Sequence, residues 1–131
     1  MFNLARFSEA RIQRYVNGRT SKLPDFLVKF GGLNSGFMIS QCKLLNNLDT
    51  SASLLSECKV LVKPASVDSI STSASQEDHV SMGGFASRKA KMICENVAYI
   101  LGIELLCCLQ SIDLLQLKPS KKLDAIKTKI R

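Results

Sequence analysis

Residues 85–117 read FASRKAKMICENVAYILGIELLCCLQSIDLLQL. Phe85, Ala86, Met92, Ile93, Val97, Ile100, Leu101, Leu105, Leu106 and Leu109 recur at the three- and four-residue steps of an α-helix. The spacing predicts a long helix that starts between Gln76 and Gly84. Its middle is apolar nearly all round, the mark of a helix surrounded by other helices. Glu95, Asn96, Glu104, Gln110 and Asp113 interrupt the most apolar part, Ile93 to Leu117, so a bilayer-spanning role is not expected. Glu104 requires a charged or hydrogen-bonding partner if it is buried, and a structural ion pair is the expectation rather than catalysis.

Working outward, Leu4, Ala5, Ile12, Tyr15 and Val16 predict a first helix from Met1 to about Val16 with no capping residue ahead of it, as though cut. Asn17-Gly18 ends it, and Leu23-Pro24 begins an extended or turning segment, because a residue before proline avoids the α region. After the breaker Gly31-Gly32, Asn34 or Ser35 is placed to cap a second helix. That helix carries Phe37, Met38, Leu44, Leu45, Leu48, Ala52 and Leu55 and ends near Glu57 or Cys58. Pro64 opens ASVDSISTSAS, which by composition alone reads as a flexible linker. Pro119-Ser120 restarts a short helix with Leu123, Ile126 and Ile130 on one stripe and lysines opposite. Period-two alternation is nearly absent. The class is all-α, with long antiparallel helices in one partial helical domain over residues 1–131. The all-round apolar helix needs more neighbours than this chain supplies, so further chain or other subunits are expected to cover it.

With 46% hydrophobic and 22% charged residues the composition is ordinary for a globular protein. The net charge of +7 raises the question of nucleic acid or an acidic membrane. The cations are split between Arg6, Arg11, Arg14 and Arg19 at one end and Lys118, Lys121, Lys122, Lys127, Lys129 and Arg131 at the other. There is no Trp and no nucleic-acid motif, so a solvated basic face is expected, with no nucleic-acid partner and no membrane. Cys42, Cys58, Cys94, Cys107 and Cys108 form no C-x-x-C pair and have no zinc-like histidine spacing. That usage fits a reducing compartment, no metal is expected, and the N-terminus lacks an apolar signal region. The cytoplasm is the expected location.

Two short constellations are candidates for chemistry. In Gln76-Glu77-Asp78-His79 the Glu77 carboxylate either serves a charged ligand near a helix start or simply caps the first turn, and the bare sequence favours capping. Asp78 reads as a cap or ion-pair partner. His79, the single histidine, has no Cys or Ser nucleophile at a recognisable spacing and reads first as structural. Asn34-Ser35-Gly36 either shapes a turn beside a ligand or caps the second helix.

Read in order, Leu23-Pro24 with Phe26-Leu27, GGLNSGFMI (31–39), PASVDSI (64–70) and TSASQEDHVSMG (72–83) resemble the aromatic amino-acid ammonia-lyase family. Ala86 with Arg88-Lys89, then IELL (103–106) with Gln110 and Asp113, continue the match in the same order, so that it covers nearly the whole chain from about Ser8. A collinear series of this length is highly specific. QEDHVSMG is similar to the histidine-specific branch, since the phenylalanine enzymes have glutamine in place of Glu77.

The resemblance implies non-oxidative deamination of L-histidine to urocanate and ammonia. It implies a methylidene-imidazolone electrophile, a homotetramer, and an ordered active-site wall where composition suggests a linker. It makes Glu77 the expected catalytic residue, with Gln76, Glu77, His79 and Asn34 as substrate-binding candidates. Family members build the electrophile from an Ala-Ser-Gly triplet, and none occurs in this sequence. The N-terminal catalytic tyrosine region and the usual C-terminal continuation are absent from these residues too. The chain alone is therefore expected to be an inactive piece of the helical core. A non-enzymatic helical assembly module derived from a lyase is the alternative.

One departure is internal: Cys42 to Leu48 read as inserted into the second helix. Seven residues advance a helix by about 700°, some 20° short of two turns, so the apolar stripe is nearly kept and one longer helix is expected.

Overall fold

The structure, a computed structural model, describes residues 1–28 and 38–130, with side chains described over 1–28 and 49–129. Among the described residues five α-helices follow one another: α1 (Phe2–Val16), α2 (Gly18–Ser21), α3 (Met38–Leu61), α4 (Gly83–Leu114) and α5 (Lys121–Ile130). Short 3-10 turns lie at Asp25–Leu27 and Ala65–Asp68. The all-α expectation holds, and the only β pairing among the described residues is an isolated bridge between Thr72 and Glu77. Helix α3 runs unbroken through positions 42–48, as the two-turn arithmetic requires.

The seam between helices is apolar. On α4, Val97, Ile100, Ile103 and Cys107 are buried at three- and four-residue steps, and Ala5, Ile12 and Val16 of α1 meet them together with Leu27 and Leu55. Such interdigitation removes apolar surface from water and is the main stabilising contribution to the bundle. Cys107 is fully buried, and burial pushes its thiol up to about 11, so it packs as a small hydrophobe.

Polar pairs fix helix direction. The Asn96 side chain donates to Glu57 at 2.9 Å, and the Lys89 ammonium donates to the Lys63 carbonyl, so α3 and α4 run antiparallel. Helix α1 differs. Ser8 and Arg11 meet Glu104, and Tyr15 meets Cys108, so position numbers rise together and α1 lies parallel to α4. The hydrogen bond to Cys108, with burial second, pushes the Tyr15 hydroxyl up to about 12.

The corner after α1 is compact. Asn17 ends α1 and also caps α2, its side chain accepting from the Arg19 amide at 3.0 Å. The Gly18 amide donates to Asp25 Oδ1 at 2.7 Å, and a Cβ on Gly18 would stand 2.6 Å from the Leu23 carbonyl, which explains the glycine. Phe26 and Leu27 take left-handed backbone, which places Leu27 in the core and its carbonyl 3.3 Å from Gln110 Nε2.

The outer surface of α4 is less covered. Phe85, Met92, Tyr99 and Leu106 are exposed, Tyr99 at 68%. By length and composition α4 is long and apolar enough to cross a membrane, with 28% of its most apolar window buried within the chain. That is a test of length and composition alone, and polar residues interrupt the apolar stretch. Those interruptions do other work: Asn96 and Glu104 are satisfied by α3 and α1, the pattern of a helix packed among helices.

Candidate active site

The segment between α3 and α4 is built rather than slack. After the turn at Ala65–Asp68, Thr72 and Glu77 exchange two backbone hydrogen bonds, Thr72 N to Glu77 O at 2.9 Å and Glu77 N to Thr72 O at 3.3 Å. Inside that rung Gln76 N donates to Ser73 O at 3.1 Å. Ser73, Ala74 and Ser75 all take left-handed backbone, with φ of 55°, 55° and 67°. Non-glycine residues pay for that conformation, each on the order of 1 kcal/mol, and such strain gathers at functional loops. Ser69 Oγ accepts from the Val80 amide at 2.7 Å and closes the loop at its base. The compositional linker reading is thereby replaced by an ordered loop.

The sequence-predicted residues fall as follows. Gln76, Glu77, Asp78 and His79 lie together and exposed on this loop. The side chains of Glu77, Asp78 and His79 have no hydrogen-bond or ion-pair partner among the described residues. The capping version of the reading does not hold, because α4 begins at Gly83, within the expected window but after Met82 in left-handed conformation and without a side-chain cap. Glu77 and Asp78 cap nothing. The glycine pair Gly83-Gly84 delays the helix past the acidic residues, so capping no longer explains why a carboxylate stands at position 77. Asn34 and the expected cap at Asn34 or Ser35 lie outside the described residues.

Neighbouring surface adds charge. Arg88 and Lys89, in the first turns of α4, stand 5.7 Å and 5.3 Å from the centre of the Phe85 ring. A cleft of about 480 Å³ lined by Val60, Pro64, Val67, Phe85 and Lys89 lies at this end of the α3–α4 pair. Gln76, Glu77 and His79 do not line it. The described part of the loop thus offers a carboxylate, an amide and an imidazole to solvent, with the enclosing walls of a pocket still to be supplied. Among the described residues no group of His, Cys, Asp and Glu is placed to hold a metal ion.

Glu104 resolves as a structural group. Arg11 donates to its carboxylate from both Nε and Nη2, the latter at 2.9 Å, and the buried Ser8 hydroxyl donates as well. Sequence reasoning missed Ser69, which was visible only as part of the PASVDSI match.

The described residues form a helical bundle whose strained loop exposes a carboxylate. The aromatic amino acid lyase family matches residues 1–131, and the chain belongs to that family. It is 51% identical over 129 residues to the histidine ammonia-lyase of Rattus norvegicus, covering 98% of this chain and 19% of that one. It is 54% identical over 110 residues to the histidine ammonia-lyase of Alkaliphilus metalliredigens, covering 84% of this chain and 20% of that one. The crystal structure of histidine ammonia-lyase from Trypanosoma cruzi superposes with a TM-score of 0.80 at 53% identity, covering 99% of this chain and 24% of that one. The chain therefore spans about a fifth of the length of the curated relatives it matches.

Proposed function

We propose that these residues act as one partial helical domain of a histidine ammonia-lyase, the cytoplasmic enzyme that converts L-histidine to urocanate and ammonia. Glu77 is its substrate-facing carboxylate. The observation that carries this reading is the placement of an exposed Glu77, without a side-chain partner among the described residues, on a strained loop within a chain similar throughout to enzymes of that name. A carboxylate accepts a hydrogen bond from an imidazole N–H or an ammonium and also serves as a base for a carbon-bound proton. Gln76 and His79 flank it and contribute to substrate binding, as does Asn34.

The residues present do not fit the methylidene-imidazolone group. No Ala-Ser-Gly triplet is available to form it, so the covalent step with the substrate amine belongs outside these 131 residues. The chain by itself is accordingly not catalytic. The exposed face of α4 supports assembly into a homotetramer, and the unpaired thiols of Cys58, Cys94, Cys107 and Cys108 support the cytoplasm. The split cations support neither nucleic acid nor a membrane as a partner.

The test is a complete lyase subunit whose corresponding segment is replaced by residues 1–131, assayed on L-histidine and L-phenylalanine. Urocanate formation with little cinnamate supports the reading, and preference for phenylalanine contradicts it. A second reading, a helical assembly module without catalysis, is favoured by the missing triplet alone. It predicts that the chimera assembles and turns over neither substrate.

A further inference from the structure

We propose that Ser69 is a positioning residue whose hydroxyl clasps the loop 69–80 and thereby fixes where the Glu77 carboxylate points, an inference that rests on the reading of Glu77 given above. Ser69 and Val80 are half-buried, whereas every residue from Ile70 to His79 is exposed. Among the described residues the loop therefore has almost no packing to hold its shape, and its geometry rests on hydrogen bonds. Three layers of them are nested. The Ser69 hydroxyl accepts from the Val80 amide at 2.7 Å across eleven positions, the Thr72–Glu77 rung lies inside, and the Gln76–Ser73 turn lies inside that.

The innermost turn uses left-handed backbone at Ser73, Ala74 and Ser75, which is unfavourable for residues with a Cβ. Such a conformation persists only where the surroundings over-determine it. The outermost bond is the one made by a side chain, and it ties the strained turn to the half-buried ends of the loop. Ser69 itself sits at φ −62° and ψ 140°, ordinary extended backbone that threonine adopts equally well. The hydroxyl, rather than any feature of the serine backbone, is what this position contributes.

The variants Ser69→Ala and Ser69→Thr separate this from a merely local bond. Hydrogen exchange is followed in the chimeric lyase described above by mass spectrometry with fragmentation to single amides, with Ile100 in the core of α4 as the internal control for folding. In Ser69→Ala the Val80 amide loses its acceptor and must exchange faster whatever the wider role of the bond. The proposal requires that the Glu77 amide, whose partner is Thr72, also exchange about fivefold faster or more, which corresponds to losing one ordinary hydrogen bond from the loop's stability. Ser69→Thr should restore it. Unchanged exchange at Glu77, with Ile100 still protected, would overturn the clasp.

The second readout uses the chimeric lyase described above. Ser69→Ala should lower kcat by on the order of tenfold with KM held within about twofold, because a small misplacement of a reacting group costs rate more than binding. Ser69→Thr should rescue it. If Glu77→Gln abolishes turnover while Ser69→Ala does not lower it, the positioning role is wrong and the reading of Glu77 stands. If Glu77→Gln leaves turnover intact, the reading of Glu77 fails on its own account.

Discussion

Arg11 and Glu104, 93 positions apart, join α1 to α4 through two guanidinium donors on one carboxylate. The Glu104 side chain is 13% exposed and that of Arg11 48%, so the anion sits inside the seam and the cation reaches in from its edge. The hydrogen bond from Arg11 holds the Glu104 carboxyl below its ordinary value, with burial opposing and the Ser8 hydroxyl assisting. A depressed folded-state pKa contributes stability that is fully present above the unfolded value near 4.5 and is lost as pH falls through the lower folded value. Helix melting followed by circular dichroism should therefore weaken as pH drops below about 4.5. Glu104→Gln should flatten that dependence and lower the melting midpoint at neutral pH by on the order of 5 °C. An acid dependence that survives Glu104→Gln unchanged would locate the effect in another carboxylate.

The exposed side chains of α4 predict association. Phe85, Met92, Tyr99 and Leu106 leave apolar surface along a helix whose other faces already pack on α1 and α3. Sedimentation velocity of the purified chain should show oligomers or precipitate. A sharp monomer with cooperative melting would identify a self-contained domain instead.

Purified residues 1–131 should form no urocanate from L-histidine. A carboxylate such as Glu77 can move a proton or hold a charge, and neither replaces an electrophile that no triplet here can form. Turnover by this chain without any added subunit would overturn the mechanism.

The helices were legible because their causes are local. The three- and four-residue steps through Val97, Ile100 and Leu109 announced the helix and part of its buried side, Ile103 and Cys107 completed that side without belonging to the series, and the charge of Glu104 announced a partner. Which partner was not legible, because Arg11 lies on a helix brought alongside only by tertiary packing, parallel rather than antiparallel to α4. The four candidates for substrate contact were read from motif order, and three of them do share one loop, while Asn34 lies outside the described residues. The shape of that loop was hidden. Its Ser/Thr-rich composition reads as linker, whereas the Ser69 clasp and the Thr72–Glu77 rung that order it are contacts between particular atoms. The helix-start rule also failed at Glu77, because Gly83-Gly84 and left-handed Met82 move the first turn downstream of the acidic pair.

The most direct measurement is the turnover of L-histidine by a complete lyase subunit carrying this segment, compared with the same subunit bearing Glu77→Gln. Glutamine keeps the volume of the side chain but can neither hold the charge nor accept the proton. Turnover should fall by on the order of a hundredfold or more, the usual consequence of losing a placed acid–base or charged group. Assembly and melting should stay nearly unchanged, since the Glu77 side chain has no structural partner among the described residues. Normal activity per folded subunit, together with a lowered melting temperature, would contradict the account and make Glu77 a structural residue.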